Sequence, residues 1–188
     1  MFNGSQIEGI PAYLRPDQAD TPWCRPEAAD IILANSKAVL RFGGDRAFYS
    51  SSLDFIQLPE PAAFNSAEDF AATALHEAAH WSGASHRLNR DLSGRFGSAA
   101  YAQEELRAEL ASVFIGGTLG LPCDIPNHAS YVASWASKLK EDKREIFRAA
   151  ADAQRIADYL LAFHPDYAEA GDVADAEEST ASLSLIHI

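Results

Sequence analysis

The sequence predicts a single α+β domain, and three observations carry that prediction. Short β-prone runs crowd into residues 38–58, helical periodicity dominates from Ser66 onward, and the two regimes do not alternate. At 188 residues the chain is long enough for one full core and too short for two comfortable ones.

An opening loop rich in proline and polar residues runs to about Pro26. "RPEAADIILANS" then places Ala29, Ile32 and Leu33 at helical spacing, which predicts a first helix. "AVLRF", "RAFYS" and "DFIQLP" follow, separated by the turn residues of "GGD" and "SSSL", and read as a meander of three antiparallel strands. After "PEPAAF", Ser66 with Asp69 three positions on reads as a helix start. Four helical stretches are expected, over about residues 66–83, 98–119, 129–140 and 142–163. The last two are amphipathic, through Tyr131, Trp135 and Leu139 and then through Ile146, Phe147, Ala150, Ile156 and Leu160. Beyond Pro165 the chain turns acidic and small, as in "DYAEAGDVADAEEST", and is expected not to fold. The domain is therefore placed at 1–165 and an acidic tail at 166–188. The closing "SLSLIHI" resembles translated sequencing-adapter DNA and contributes nothing to the expected fold.

Composition excludes several function classes. Fifteen basic against 27 acidic side chains give a formal charge of −12, which repels phosphate backbones and anionic membrane surfaces, so no direct nucleic-acid binding by this segment is expected. No run approaches the roughly 20 apolar residues of a membrane span. "MFNGSQIEGIPAY" has no basic segment followed by an apolar stretch, so no secretory signal is read and a cytoplasmic location is expected. Cys24 and Cys123, without CxxC spacing, are expected to be free thiols.

The chemistry concentrates in "LHEAAHWSGASHRLNRD". His76 and His80, four apart on the second predicted helix, can offer two imidazole nitrogens to one ion, and Glu77 beside them is placed to accept a proton from a water the ion activates. Ala71, Ala74, Leu75, Ala78 and Ala79 cover one side of the helical wheel, while Asp69, Thr73, His76 and His80 line the other. That second stripe is equally what the solvated side of an amphipathic helix looks like, so the motif has to be decided by its context. Two-histidine catalytic zinc sites need a third protein ligand and an open position.

Taken literally, His76-Glu77-x-x-His80-x-x-Gly83-x-x-His86 is the long zinc-protease pattern, in which Gly83 lets the chain reverse and His86 becomes the third ligand. Glycine just past a helix is also a common helix stop, and the histidine-only class places a methionine turn beneath its metal. The sole methionine is Met1, so His86 reads as a surface histidine. The next helix offers a better ligand. In "YAQEELRAELASVFIGGTLG", Leu106, Leu110, Val113 and Phe114 form one apolar region, and Ala108, Ala111, Ile115 and Leu119 another. Between them runs a narrow stripe of Glu105, Glu109, Ser112 and Gly116. Two carboxylates directed inward from a buried helix need a cation or strong donors. Glu105 fits the third-ligand role, Glu109 fits that of a carboxylate orienting a ligand histidine, and Glu104 is the alternative ligand. The competing arrangement leaves both glutamates exposed and paired with Arg107 or its neighbours.

The run "HEAAHWSGASHRLNRDLSGRFGSAAYAQEELRAELAS" resembles the zincin-like metallopeptidase domain of plasmid antirestriction proteins of the ArdC type, also found in TraC-like plasmid primases and polyvalent phage proteins. The similarity extends from "FNGSQIEGIP" through "GGDRAFY" and "DFIQLP" to "SYVASWASKLKEDKREIFRAAADAQRIADYL". The resemblance implies a zinc-dependent peptidase with His76, His80 and a downstream glutamate as ligands and Glu77 as the catalytic carboxylate. It also implies protection of incoming plasmid or phage DNA from host restriction. Members of that family normally carry an N-terminal domain that binds single-stranded DNA. "MFNGSQIEGIP" begins where such a domain has ended, so the chain is expected to be the peptidase domain alone.

The expected reaction is hydrolysis of a peptide bond in a protein or peptide substrate, a host restriction component among the candidates. His128 and Tyr131 are candidates to hydrogen-bond the oxyanion, although a cap or core contact competes for both. The rival reading is a non-enzymatic acidic module that binds a restriction enzyme, with zinc serving structure only.

Overall fold

The structure, a computed structural model, describes residues 27–95, 97–121 and 142–168. Helix α1 spans Glu27–Ser36 and buries Ala29, Ile32 and Leu33. It stops where Lys37 takes a left-handed φ of 61°, with Ser36 Oγ donating to the carbonyl of Leu33 (2.8 Å) and accepting the N–H of Ala38 (3.2 Å). Strands β1 (Val39–Phe42), β2 (Phe48–Ser50) and β3 (Phe55–Leu58) follow, then a 3-10 turn at Pro61–Ala63. Helices α2 (Ala67–Trp81), α3 (Ala99–Leu119) and α4 (Glu145–Leu161) complete the described elements. The expected helix over 129–140, with His128, Tyr131 and both cysteines, lies outside the described residues, as does 169–188 of the expected tail. The ordered packing runs past Pro165, since Tyr167 rests against the core.

The α+β class and the three strands are as expected, but the sheet is mixed, which corrects the antiparallel meander. The strand order is β1-β3-β2, with β1 parallel to β3 (Val39 opposite Phe55) and β2 antiparallel to β3 (Tyr49 opposite Ile56). Burial explains the placement. In β3, Phe55, Ile56 and Leu58 are all buried and want neighbours on both sides, whereas Val39, Phe42 and Phe48 of the flanking strands are exposed. The connection after β1 therefore crosses to the far edge instead of folding back as a hairpin. Gly43 and Gly44, at φ of 116° and 73°, allow that path, and the Gly43 N–H bonds the Leu58 carbonyl (3.0 Å).

Helix α2 lies at the centre, packed on α1, β2, β3, α3 and α4. Ala71, Ala74, Ala78 and Ala79 of α2, Ala108 and Ala111 of α3, and Ala153 and Ala157 of α4 are all essentially inaccessible. Residues this small let helices approach closely, which brings short side chains of α2 within reach of those on α3. The apolar stripe of α4 is phased differently from the expectation in its first turn. Glu145 and Ala149 are buried while Phe147 is exposed, because Glu145 is held by Arg148 (2.9 Å) and Arg107 (3.4 Å).

Candidate metal centre

Caps fix the register of the two helices that build the site. Ser66 Oγ accepts the N–H of Asp69 (3.0 Å) at the start of α2, and Ser98 Oγ accepts the N–H of Tyr101 (3.1 Å) at the start of α3. Gly120, at φ 68°, closes α3 in the left-handed conformation. With the alanine and leucine side of α2 in the core, the opposite stripe begins exposed at Asp69 but turns toward α3 at its C-terminal end, where His76 and His80 meet the inward carboxylates.

His76 Nε2 and His80 Nε2 are 3.2 Å apart. Glu105 places Oε1 3.5 Å from the His80 nitrogen and Oε2 3.7 Å from the His76 nitrogen. One ligand atom from each of these three residues falls within 4.8 Å of the others. The far side of each ring meets its own carboxylate: His76 Nδ1 lies 3.4 Å from Glu109 Oε1, and His80 Nδ1 lies 3.3 Å from Glu104 Oε1.

This donor set fits a divalent cation. A carboxylate at each Nδ1 favours the tautomer with its proton there, which leaves both Nε2 lone pairs aimed at one point beside a third carboxylate. Two lone pairs 3.2 Å apart repel unless a proton or a metal lies between them. Nitrogen ligands at about 2.0–2.1 Å from zinc in tetrahedral array stand roughly 3.3 Å apart, close to the spacing found. Without a metal the site draws protons. Burial opposes a charge on His80, yet the hydrogen bond that its Nδ1–H donates to Glu104 and the charges of Glu77 and Glu105 outweigh it and raise its pKa. Burial, reinforced by the Glu105 charge, pushes Glu109 up to about 8.

Glu77 is buried beside the three ligand candidates. Burial lifts its carboxyl to about 7; the nearby Glu105 charge adds to this, while the charge of His80 and a hydrogen bond from the Tyr49 backbone N–H oppose it. Strand β2, which supplies that N–H, is tied to the end of α2 by one guanidinium. Arg87 donates to the Trp81 carbonyl (2.6 Å), the Tyr49 hydroxyl (3.1 Å) and both Asp54 oxygens, and lies 3.9 Å over the Trp81 ring. The ligand candidates open into a cleft of about 470 Å³ walled by Phe48 and Tyr49 of β2, Leu92 and Gly94 of the following loop, and Ala100 and Tyr101 of α3.

The structure thus brings His76, Glu77, His80, Glu105 and Glu109 to one cleft. Glu104, read above as an alternative ligand, faces the outer nitrogen of His80 and is bound by Arg90. Arg107 pairs with Asp152 (2.6 Å) and Glu145 of α4, leaving Glu105 and Glu109 to the site. His86 is exposed and lies elsewhere, accepting from Arg87 Nη1 (2.7 Å) near Asp54. Sequence reasoning missed Tyr49, Arg87 and Arg90. The first acts through its main chain, which no residue type announces, and the arginines stood unread inside "HRLNRD".

Residues 27–152 match the family model described as zincin-like metallopeptidase. Over 164 residues the chain is 52% identical to DNA primase TraC of Escherichia coli, covering 87% of this chain and 15% of TraC. Two crystal structures of the antirestriction protein ArdC from plasmid R388 share the fold. The metal-free one superposes with a TM-score of 0.67 at 37% identity, covering 86% of this chain and 58% of ArdC. The Mn(II)-bound one gives 0.68 at 41% identity, covering 86% and 60%. The chain spans less than two thirds of each of these proteins. Among the described residues no helix is long and apolar enough to cross a membrane.

Proposed function

The chain belongs to the zincin-like metallopeptidase family, and on that premise we propose that it is a zinc peptidase using His76, His80 and Glu105 as ligands and Glu77 as general base. The observation that carries the reading is the convergence of both Nε2 atoms and the Glu105 carboxylate on one point, with a buried carboxylate beside it. Zinc is favoured over manganese by two imidazoles in a three-ligand set, and by the general order of divalent affinities. When bound, the ion supplies a Lewis acid that polarises a substrate carbonyl and activates a water.

The chain's own residues supply the rest. Glu109 and Glu104 hold the imidazoles in the ligating tautomer. Glu77, fixed by the Tyr49 N–H, accepts the proton of the attacking water and returns it to the leaving amine. Phe48, Leu92 and Tyr101 wall the cleft and give a substrate apolar surface beside the ligands.

The proposed substrate is a protein, with a host restriction component as candidate, and its cleavage in the cytoplasm would protect incoming DNA. The likeness to ArdC, an antirestriction protein, supports this role. A charge of −12 argues that this segment meets protein rather than DNA. The test compares wild type with Glu77→Gln, first on an unstructured protein such as casein and then in transfer of unmodified plasmid into a restricting host. Wild type should cleave and protect; Glu77→Gln should keep its zinc and do neither. Equal cleavage by the variant would refute the role of Glu77. Protection retained without cleavage would make the module a non-enzymatic binder.

A further inference from the structure

The loop leaving α2 carries a side chain that the proposed reaction leaves without a role. Arg90 is largely buried and every nitrogen of its guanidinium is used. Nη2 donates to the Ala79 carbonyl (2.6 Å) and to Glu104 Oε1 (2.7 Å), Nε to Glu104 Oε2 (3.2 Å), and Nη1 to Ser82 Oγ (2.9 Å). One planar group therefore joins the last turn of α2, the loop beyond it, and the α3 carboxylate that faces His80 Nδ1 at 3.3 Å.

Gly83 lies directly against this guanidinium. A Cβ there would stand 2.9 Å from Arg90 Nη2, 3.0 Å from Cζ and 3.0 Å from Leu92 Cδ2. Gly83 is not among the glycines with positive φ, so it is not a left-handed helix stop. Nor does it return His86 to the site. The helix does end just before Gly83, as a glycine there suggests, but the glycine serves by its missing side chain, which is the space the arginine occupies.

We infer that Arg90 is a positioning residue of the metal site, holding Glu104 against His80, and that Gly83 serves it by leaving its guanidinium room. The inference rests on the proposed ligand role of His76, His80 and Glu105. Charge supplies the reason. Four buried carboxylates, Glu77, Glu104, Glu105 and Glu109, surround the site, and a divalent ion balances only two. Arg90 neutralises Glu104 on both oxygens, which fixes that carboxylate as an acceptor for the His80 ring and keeps it from competing for the ion. Lysine cannot reproduce the fork, because its single ammonium cannot reach both oxygens, Ser82 and Ala79 together.

The test measures zinc affinity by competition with a chromophoric chelator, and the visible spectrum of the Co(II)-loaded protein, for Arg90→Lys, Gly83→Ala and the double variant. Circular dichroism and melting of the chelated proteins report on the fold separately. Arg90→Lys should weaken zinc by roughly 10- to 100-fold and alter the Co(II) spectrum while the secondary structure is kept. Gly83→Ala should do the same. In the double variant the second change should add little, since both act through one guanidinium. Wild-type affinity in Arg90→Lys, or losses that multiply in the double variant, would overturn the inference. Should Arg90→Lys fail to fold, Gly83→Ala still decides, through its zinc affinity and Co(II) spectrum. A wild type that binds no zinc would instead sink the proposed function itself.

Discussion

Replacing Glu77 by glutamine should make the metal-free protein more resistant to unfolding above neutral pH, although the same change removes the proposed base. Glu77 is 7% exposed, and its carboxyl is moved from 4.5 to about 7, chiefly by burial. At roughly 1.4 kcal/mol for each tenfold change in proton affinity, that displacement is worth about 3 kcal/mol. The sign follows from proton counting. Between pH 4.5 and 7 the folded chain holds a proton that the unfolded chain has released, so stability falls as pH rises through this window and stays low above it. Below the window both states are protonated and the effect vanishes. Glutamine keeps an oxygen for the Tyr49 N–H and does not titrate. The advantage of Glu77→Gln over wild type should therefore grow by about 2–3 kcal/mol between pH 4.5 and 8.5, measured by urea unfolding in the presence of chelator. Glu109 is raised in both proteins, chiefly by burial and the Glu105 charge; the smaller part owed to the Glu77 charge is lost in the variant and adds to the same trend. An advantage that is flat with pH, or that shrinks toward pH 8.5, would refute the reasoning.

Glu105→Ala should strip zinc nearly as thoroughly as His76→Ala, and His86→Ala should change little, as read by metal content after dialysis; the reverse order would restore the three-histidine pattern. Glu109→Ala should weaken zinc by an intermediate factor, roughly 10- to 100-fold, in a chelator competition. This segment should show no affinity for single-stranded DNA at physiological salt, and a tight, salt-sensitive shift in a mobility assay would contradict the argument from charge.

Much of this was legible in the residues because local chemistry specified it. Ser66 and Ser98 marked both helix starts, and the spacing of His76 and His80 placed two imidazoles on one face. Glu105 and Glu109 stood out as charges on a helix otherwise apolar on most sides. What escaped was set by tertiary contacts. Glu104 lies one residue from Glu105, and which of the two meets the Nε2 atoms depends on how α3 is rotated against α2, with Arg90 from the intervening loop holding the other. Gly83 suggested a turn because glycine usually means backbone freedom, whereas here it means space. The crossing from β1 to the far edge could not be read locally, since the choice depends on the burial of β3. In α4, Phe147 read as part of the apolar stripe, but Arg107 and Arg148 draw Glu145 inward and leave Phe147 exposed.

Elemental analysis of the purified chain tests most directly whether His76, His80 and Glu105 form a site for a single zinc ion. After removal of loosely bound metal, about one zinc per chain should remain, and it should leave on strong chelation with a loss of thermal stability, because the ion binds only the folded state. A chain that holds manganese in preference would keep the site and change the metal. A chain that retains no divalent ion, takes none up, and melts at the same temperature with or without zinc would contradict the account.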